Sequence, residues 1–282
     1  VERRAGAFGK AQAASPQMVA AAEALAQWPE ASAVMQPAPG HPPIDPNSIP
    51  PEGRRAIAAL VQWAAEGGVI HDTCGVDARP VPFDLFRVGR LALRTSVAVD
   101  DPAFAAALRL GAALRQHGNL VGGLMGFHLA DDAREIARIR GWEAGKLLAA
   151  HQPTREEIRA FIARDAVCTY SVIDSAFDTD CERHPYGSGK EVTAWYLVLS
   201  QARWCHRERV MYKDYWGQMN ATADALPDLR ALATALERVD GENLPSVTLR
   251  ISHPLLADPV RDALDIVARY EALPGASAAA RE

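Results

Sequence analysis

Asp165 and His206 are the two side chains whose types and positions point most directly to chemistry. Asp165 falls on the apolar stripe of a helix-patterned segment, between Ile162 and Cys168/Thr169, and His206 falls on the apolar stripe of the next long one. If those helices pack antiparallel about the loop at 179–190, both residues stand roughly 20 to 24 Å from the turn, at about 1.5 Å per residue, and face each other. A buried aspartate orienting an imidazole is what general-base catalysis requires. An ordinary core also uses such a pair to satisfy a polar group, and that structural role is the expectation. GxSxG is absent, and no serine or cysteine sits in a recognisable nucleophile turn. No catalytic residue is therefore assigned, and Asp165 with His206 carries only the alternative, a hydrolase-like or metal-dependent enzyme.

Cys168, Cys181, His184, Cys205 and His206 include the thiolate and imidazole ligands that suit zinc. Cys181 and His184 are spaced as a ligand pair, but the others come from helix-patterned segments without a metal-binding loop, so no metal or other cofactor is expected. The four cysteines, Cys74, Cys168, Cys181 and Cys205, form no CxxC and permit three fully paired connectivities or free thiols. Cys168 and Cys205, at similar depth on adjacent helices, are the pair a disulfide would join; free buried thiols are the stronger expectation. His128, Asp132 and Glu135 share one helical face, where a carboxylate–histidine site is conceivable. One helix supplies too few ligands and ExxH is missing, so a solvated face is expected there. The GxxxG at 122–126 signals tight packing, and Asn220-Ala221-Thr222 lies in a helix-patterned segment, where a glycosylation acceptor is discarded.

The elements that would carry these residues are almost all helices. Residues 83–117 read as two amphipathic helices folded across Asp100-Asp101-Pro102, with Asp101 as cap and Pro102 in the first turn. Leu85, Val88 and Ala92 face inward on the first, and Phe104, Ala107, Leu108, Gly111 and Leu114 on the second. Small Ala92 and Ala107 at the approach, with Phe104 filling the groove, resemble a tetratricopeptide-type hairpin. No second copy appears at the period of about 34 residues. Upstream, Ser15-Pro16 caps a short Ala-rich helix, and residues 37–51, seven of them proline, form an irregular connector or a wrapped arm. A helix over residues 52–66 places Ile57, Leu60, Val61 and Ala64 inward and stops at Gly67-Gly68. Downstream, a long helix covers residues 120–150 with a kink near Gly141. A capping box, Thr154 with Glu157, then opens a helix that runs to about Asp178 with Ile158, Phe161, Ile162, Val172 and Ile173 inward. Further helices are expected at 191–225, 226–239 and, with Asp258 as cap and Pro259 in the first turn, 260–273. Only residues 246–252 alternate like a strand.

At 282 residues, 49% hydrophobic and 23% charged, the chain has the composition of a globular protein. Thirty basic against thirty-five acidic residues leave a net charge of −5 with no concentrated basic run, which argues against nucleic acid. No apolar run approaches the roughly twenty residues needed to span a bilayer, and no apolar core follows residues 1–4 as a signal peptide would require. The first residue, Val1, fits an alternative start codon or a trimmed chain.

Together, the Cys74 region leading into the 85–115 hairpin, the small-residue helix NLVGGLMGFHLADDA, and the stretch from Asn220 through Pro227 to Asn243-Leu244-Pro245 resemble an uncharacterised family of α-helical bacterial proteins. The resemblance covers about residues 55–272 and implies an extracytoplasmic setting. It supplies no activity or catalytic residue. The expected fold is all-α, an irregular array of antiparallel hairpins, tetratricopeptide-like in part. It divides into an N-terminal helix and Pro-rich arm at 1–53, a helical domain at 54–275, and a disordered tail at 276–282. The expected function is that of a non-enzymatic scaffold engaging a protein or peptide, with Tyr212, Tyr215 and Trp216, and with them Tyr186, as aromatic anchors; Trp195, on the inner face of its helix, is expected to be buried.

Overall fold

Capping chemistry sets the helix boundaries. The computed structural model describes residues 15–28, 43–70, 82–118, 120–176 and 254–273, together with positions 228, 230, 231 and 234. Among them are eight α-helices, one short 3-10 turn at Pro46–Ser48 and no strand. The helices are α1 (Pro16–Ala26), α2 (Pro51–Ala65), α3 (Pro82–Thr95), α4 (Pro102–His117), α5 (Leu120–Ile139), α6 (Gly145–Ala150), α7 (Arg155–Ala176) and α8 (Pro254–Glu271). The protein is all-α, and none of the described helices is long and apolar enough to cross a membrane. The strand pattern at 246–252 and the helix expected at 191–225 lie outside the described residues, and of the helix expected at 226–239 only positions 228, 230, 231 and 234 are described.

Two predicted caps form as expected. Asp101 Oδ1 accepts from the Ala103 N–H at 2.9 Å, and its Oδ2 takes the Val97 N–H at 3.1 Å, so one carboxylate closes both sides of the α3–α4 turn. At the start of α7, the Glu157 N–H donates to Thr154 Oγ1 at 3.2 Å while Glu157 Oε2 accepts from the Thr154 N–H at 2.8 Å. Ser15, by contrast, does not cap α1; its hydroxyl turns to the Gln17 side chain at 2.6 Å.

Three further sequence expectations require correction. The 120–150 stretch is broken rather than kinked: α5 stops at Ile139 and α6 begins at Gly145. Gly141 takes φ +65, its N–H donates to the Arg138 carbonyl, and the Trp142 N–H reaches back to the Ala137 carbonyl at 2.9 Å. That six-to-one bond with a left-handed residue is a Schellman stop, which a kink would not produce. On α2 the buried face is Gly53, Ala56, Leu60 and Trp63, and Ile57, Val61 and Ala64 are only half-buried. The face is rotated because Gly53 lets Trp28 and Ile49 come against the backbone, and the Trp63 indole N–H finds the Val69 carbonyl at 3.0 Å. Where the Pro-rich connector is described, from residue 43, it is irregular as expected: Asp45 caps a single 3-10 turn and Ile49 is buried. Finally, α8 begins at Pro254 and holds Pro259 inside it, where one missing backbone donor is tolerated; Asp258 pairs with Arg261 instead of capping.

The core is built on α3, α4 and α5, which run up, down and up. Leu85, Val88, Ala92, Phe104, Ala107, Leu108 and Leu114 are all buried, as their spacing predicts. Gly111 and Gly126 bring α4 and α5 together backbone to backbone: a Cβ on Gly126 would stand 2.5 Å from the Gly111 carbonyl oxygen. The α1–α2 pair packs against α3 and α4, while α7 and α8 cover the other side of α5. Phe161 of α7 lies edge-on to Phe127, centroids 6.0 Å apart, over Gly123.

Arginines close the helix ends. Arg164, on α7, donates to the Gly118 carbonyl at 2.6 Å and to the Arg115 carbonyl, which finishes α4. Arg140 donates to the Arg94 carbonyl at 2.9 Å and to the Ser96 carbonyl, which finishes α3. Arg109 does the same for Gly67 after α2. A guanidinium suits this role because its fork supplies several donors to carbonyls that lack intrahelical partners, and its charge opposes the helix dipole.

Candidate functional site

Where α5 ends, the chain doubles back through Trp142 into α6, and the last turn of α8 leans over the same place. A cleft of about 570 Å³ opens between these three segments. Its apolar wall includes Ala137, Trp142, Ala144, Leu148, Tyr270 and Leu273, and its polar lining is Arg134, Arg138, Lys146 and Gln152. That volume is within the range of sites that hold small molecules or a few side chains.

The wall is held rigidly. Trp142 meets Phe104 edge-on, centroids 5.4 Å apart at 84°, and the Arg140 guanidinium sits over its ring at 4.9 Å. Tyr270, 1% exposed, donates its hydroxyl proton to the Ala130 carbonyl at 2.7 Å. Burial raises the pKa of that phenol well above its usual value, so it stays protonated and its donor is already used. α8 is pinned nearby by the fork of Arg269 on Asp131, at 3.0 and 2.8 Å, and by Arg155 on Glu271 at 3.1 Å. Beneath the cleft, Arg115, 1% exposed, donates to Glu157 at 3.1 Å, to the Gly126 carbonyl at 3.2 Å and to the His151 carbonyl at 2.8 Å. One side chain thereby ties α4 to α5, to the end of α6 and to the cap of α7.

The residues singled out from sequence fare differently. Asp165 is half-buried on α7, but His206 lies outside the described residues, so their juxtaposition is not part of the described structure. Also outside are Cys74, Cys181, His184, Cys205, Tyr186, Trp195, Tyr212, Tyr215, Trp216, Asn220 and the side chain of Cys168. The His128, Asp132, Glu135 trio is fully described and is not the solvated face expected of it. Asp132, 6% exposed, pairs with Arg90 at 2.5 Å, and Arg90 lies over the Phe86 ring at 4.4 Å. Glu135 is taken by Arg138 at 2.6 Å. His128 packs beside Phe86, and burial lowers its pKa despite the opposing pull of Asp132. His151 is lowered too, by burial first and then by Arg115. Among the described residues no group of three or more His, Cys, Asp and Glu side chains is arranged to hold a metal ion.

The cleft was missed from sequence. The sequence marks only the chain reversal at one wall: Gly141, whose position after Arg138 fits a helix stop, with Trp142 directly behind it. The fold and site thus define an all-α protein with a cleft at the meeting of three helix ends. No family model, curated protein or solved structure matches the chain.

Proposed function

We propose that the protein is a non-enzymatic helical binding protein that receives a short peptide segment of a partner in the cleft between α5, α6 and α8. The observation that supports this reading is the cleft itself, with a pre-formed apolar wall around Trp142 and few polar groups. Its rigid backing reduces what binding would cost in ordering the site.

Gly145 provides the test. A Cβ there meets nothing within 4 Å, and the residue lines the cleft, so Gly145→Phe places an aromatic ring at its rim without clashing with the helices behind it. Selection of a displayed random-peptide library on the full chain is expected to enrich peptides whose affinity for Gly145→Phe is lower by about tenfold or more. Thermal melting by circular dichroism checks that the variant stays folded. Enrichment of nothing, or of peptides that bind both forms equally, would refute the reading.

A further inference from the structure

The cleft is chemically one-sided. Arg134, Arg138 and Lys146 contribute to its lining, and among the described residues no carboxylate does. Arg134 is engaged by Asp131 at 3.1 Å and Arg138 by Glu135 at 2.6 Å, so both are partly neutralised. Lys146 is exposed and, among the described residues, has no ion pair. A cation left over at the rim of an apolar wall is complementary to a ligand that places a negative charge beside an apolar group.

Gln152 narrows the chemistry further. Its side-chain amide makes no hydrogen bond among the described residues, and it offers a donor and an acceptor together. A peptide unit presents the matching acceptor and donor; a hydrocarbon chain presents neither. The Tyr270 hydroxyl is committed to Ala130, so it adds nothing to the polar recognition. Building on the peptide reading above, we infer that the cleft selects an acidic–apolar peptide: an apolar side chain against Trp142, a neighbouring carboxylate on Lys146, and the backbone on Gln152.

The test is titration calorimetry of the full chain with an acetylated, amidated hexapeptide carrying one glutamate beside one phenylalanine, against the same peptide with glutamine in place of glutamate. The acidic peptide is expected to bind about fivefold more tightly at low salt, the upper range for an exposed ion pair. That preference shrinks towards one in Lys146→Gln, and it shrinks as sodium chloride screens the pair. Equal affinity for the two peptides overturns the charge selection and leaves the peptide reading standing. Binding of neither overturns it as well, and the library selection then decides the peptide reading separately. Dodecanoate is the third probe. If it binds in a manner abolished by Gly145→Phe while both peptides fail, the carboxylate recognised is a lipid's and the inference is wrong.

Discussion

Replacing Arg115 with methionine is expected to lower the unfolding free energy by about 3 kcal/mol. Methionine keeps much of the volume over Phe127, so the loss isolates the guanidinium from the packing around it. Four elements meet at that group: α4 carries it, the Gly126 carbonyl belongs to α5, the His151 carbonyl follows α6, and Glu157 caps α7. Without it, Glu157 becomes a carboxylate in a largely dry place with its buried partner gone. Glu157→Gln is the milder comparison, at about 1 kcal/mol, because the amide oxygen still accepts from the Thr154 N–H and Arg115 keeps two carbonyls. Urea unfolding followed by circular dichroism measures both. A loss under about 0.5 kcal/mol for Arg115→Met, the range of ordinary surface changes, would show that the cluster contributes little.

Gly126→Ala separates two opposing rules. Helix propensity favours alanine by about 1 kcal/mol in a helix interior. Packing opposes it, because the new Cβ would stand 2.5 Å from the Gly111 carbonyl oxygen and 2.8 Å from the Arg115 backbone nitrogen. Both obstacles are backbone, so relief requires α4 and α5 to move apart, at a cost of about 3 kcal/mol for an overpacked core. Packing wins, and a net loss of about 2 kcal/mol is expected. Gly145→Ala, where nothing lies within 4 Å, shows propensity alone and is expected to be neutral or slightly stabilising. Stabilisation by Gly126→Ala would mean that the helices do not approach as closely as the structure shows. A 2 to 3 kcal/mol change is a large part of the total for a typical domain.

What was legible in the sequence was local. Asp101-Pro102 and Thr154 with Glu157 act within a turn of themselves, so their side chains and spacing sufficed to place the starts of α4 and α7. The inward positions named on α3 and α4 also followed from spacing, but α4 is buried well beyond that stripe, at Ala106, Leu110 and Ala113 too, because α2, α3, α5 and α7 all pack on it. The rotated face of α2 did not, since it depends on Gly53 admitting Trp28 and Ile49 from other parts of the chain. Arg115 and Arg164 ran against expectation most sharply. Arginine is normally placed outside, and only the meeting of several helix ends creates enough carbonyls to hold two of them at 1% and 3% exposure.

The cleft was illegible for the same reason: its lining comes from 134–138, 142–152 and 270–273, and no spacing rule relates the first two to the last. The chemistry legible in the sequence, Asp165 with His206 and the cysteine–histidine group, rested on the packing of segments that lie largely outside the described residues. Asp132 shows how a motif misleads in one dimension. It shares a face with His128 and Glu135, yet Arg90 from α3 claims it.

Amide hydrogen exchange, read by mass spectrometry on the full chain with and without a saturating library-selected peptide, tests the central claim most directly. Slower exchange confined to the end of α5, the 142–152 segment and the last turn of α8 is the predicted result, and it disappears in Gly145→Phe. Protection elsewhere with these three segments unchanged would contradict the account.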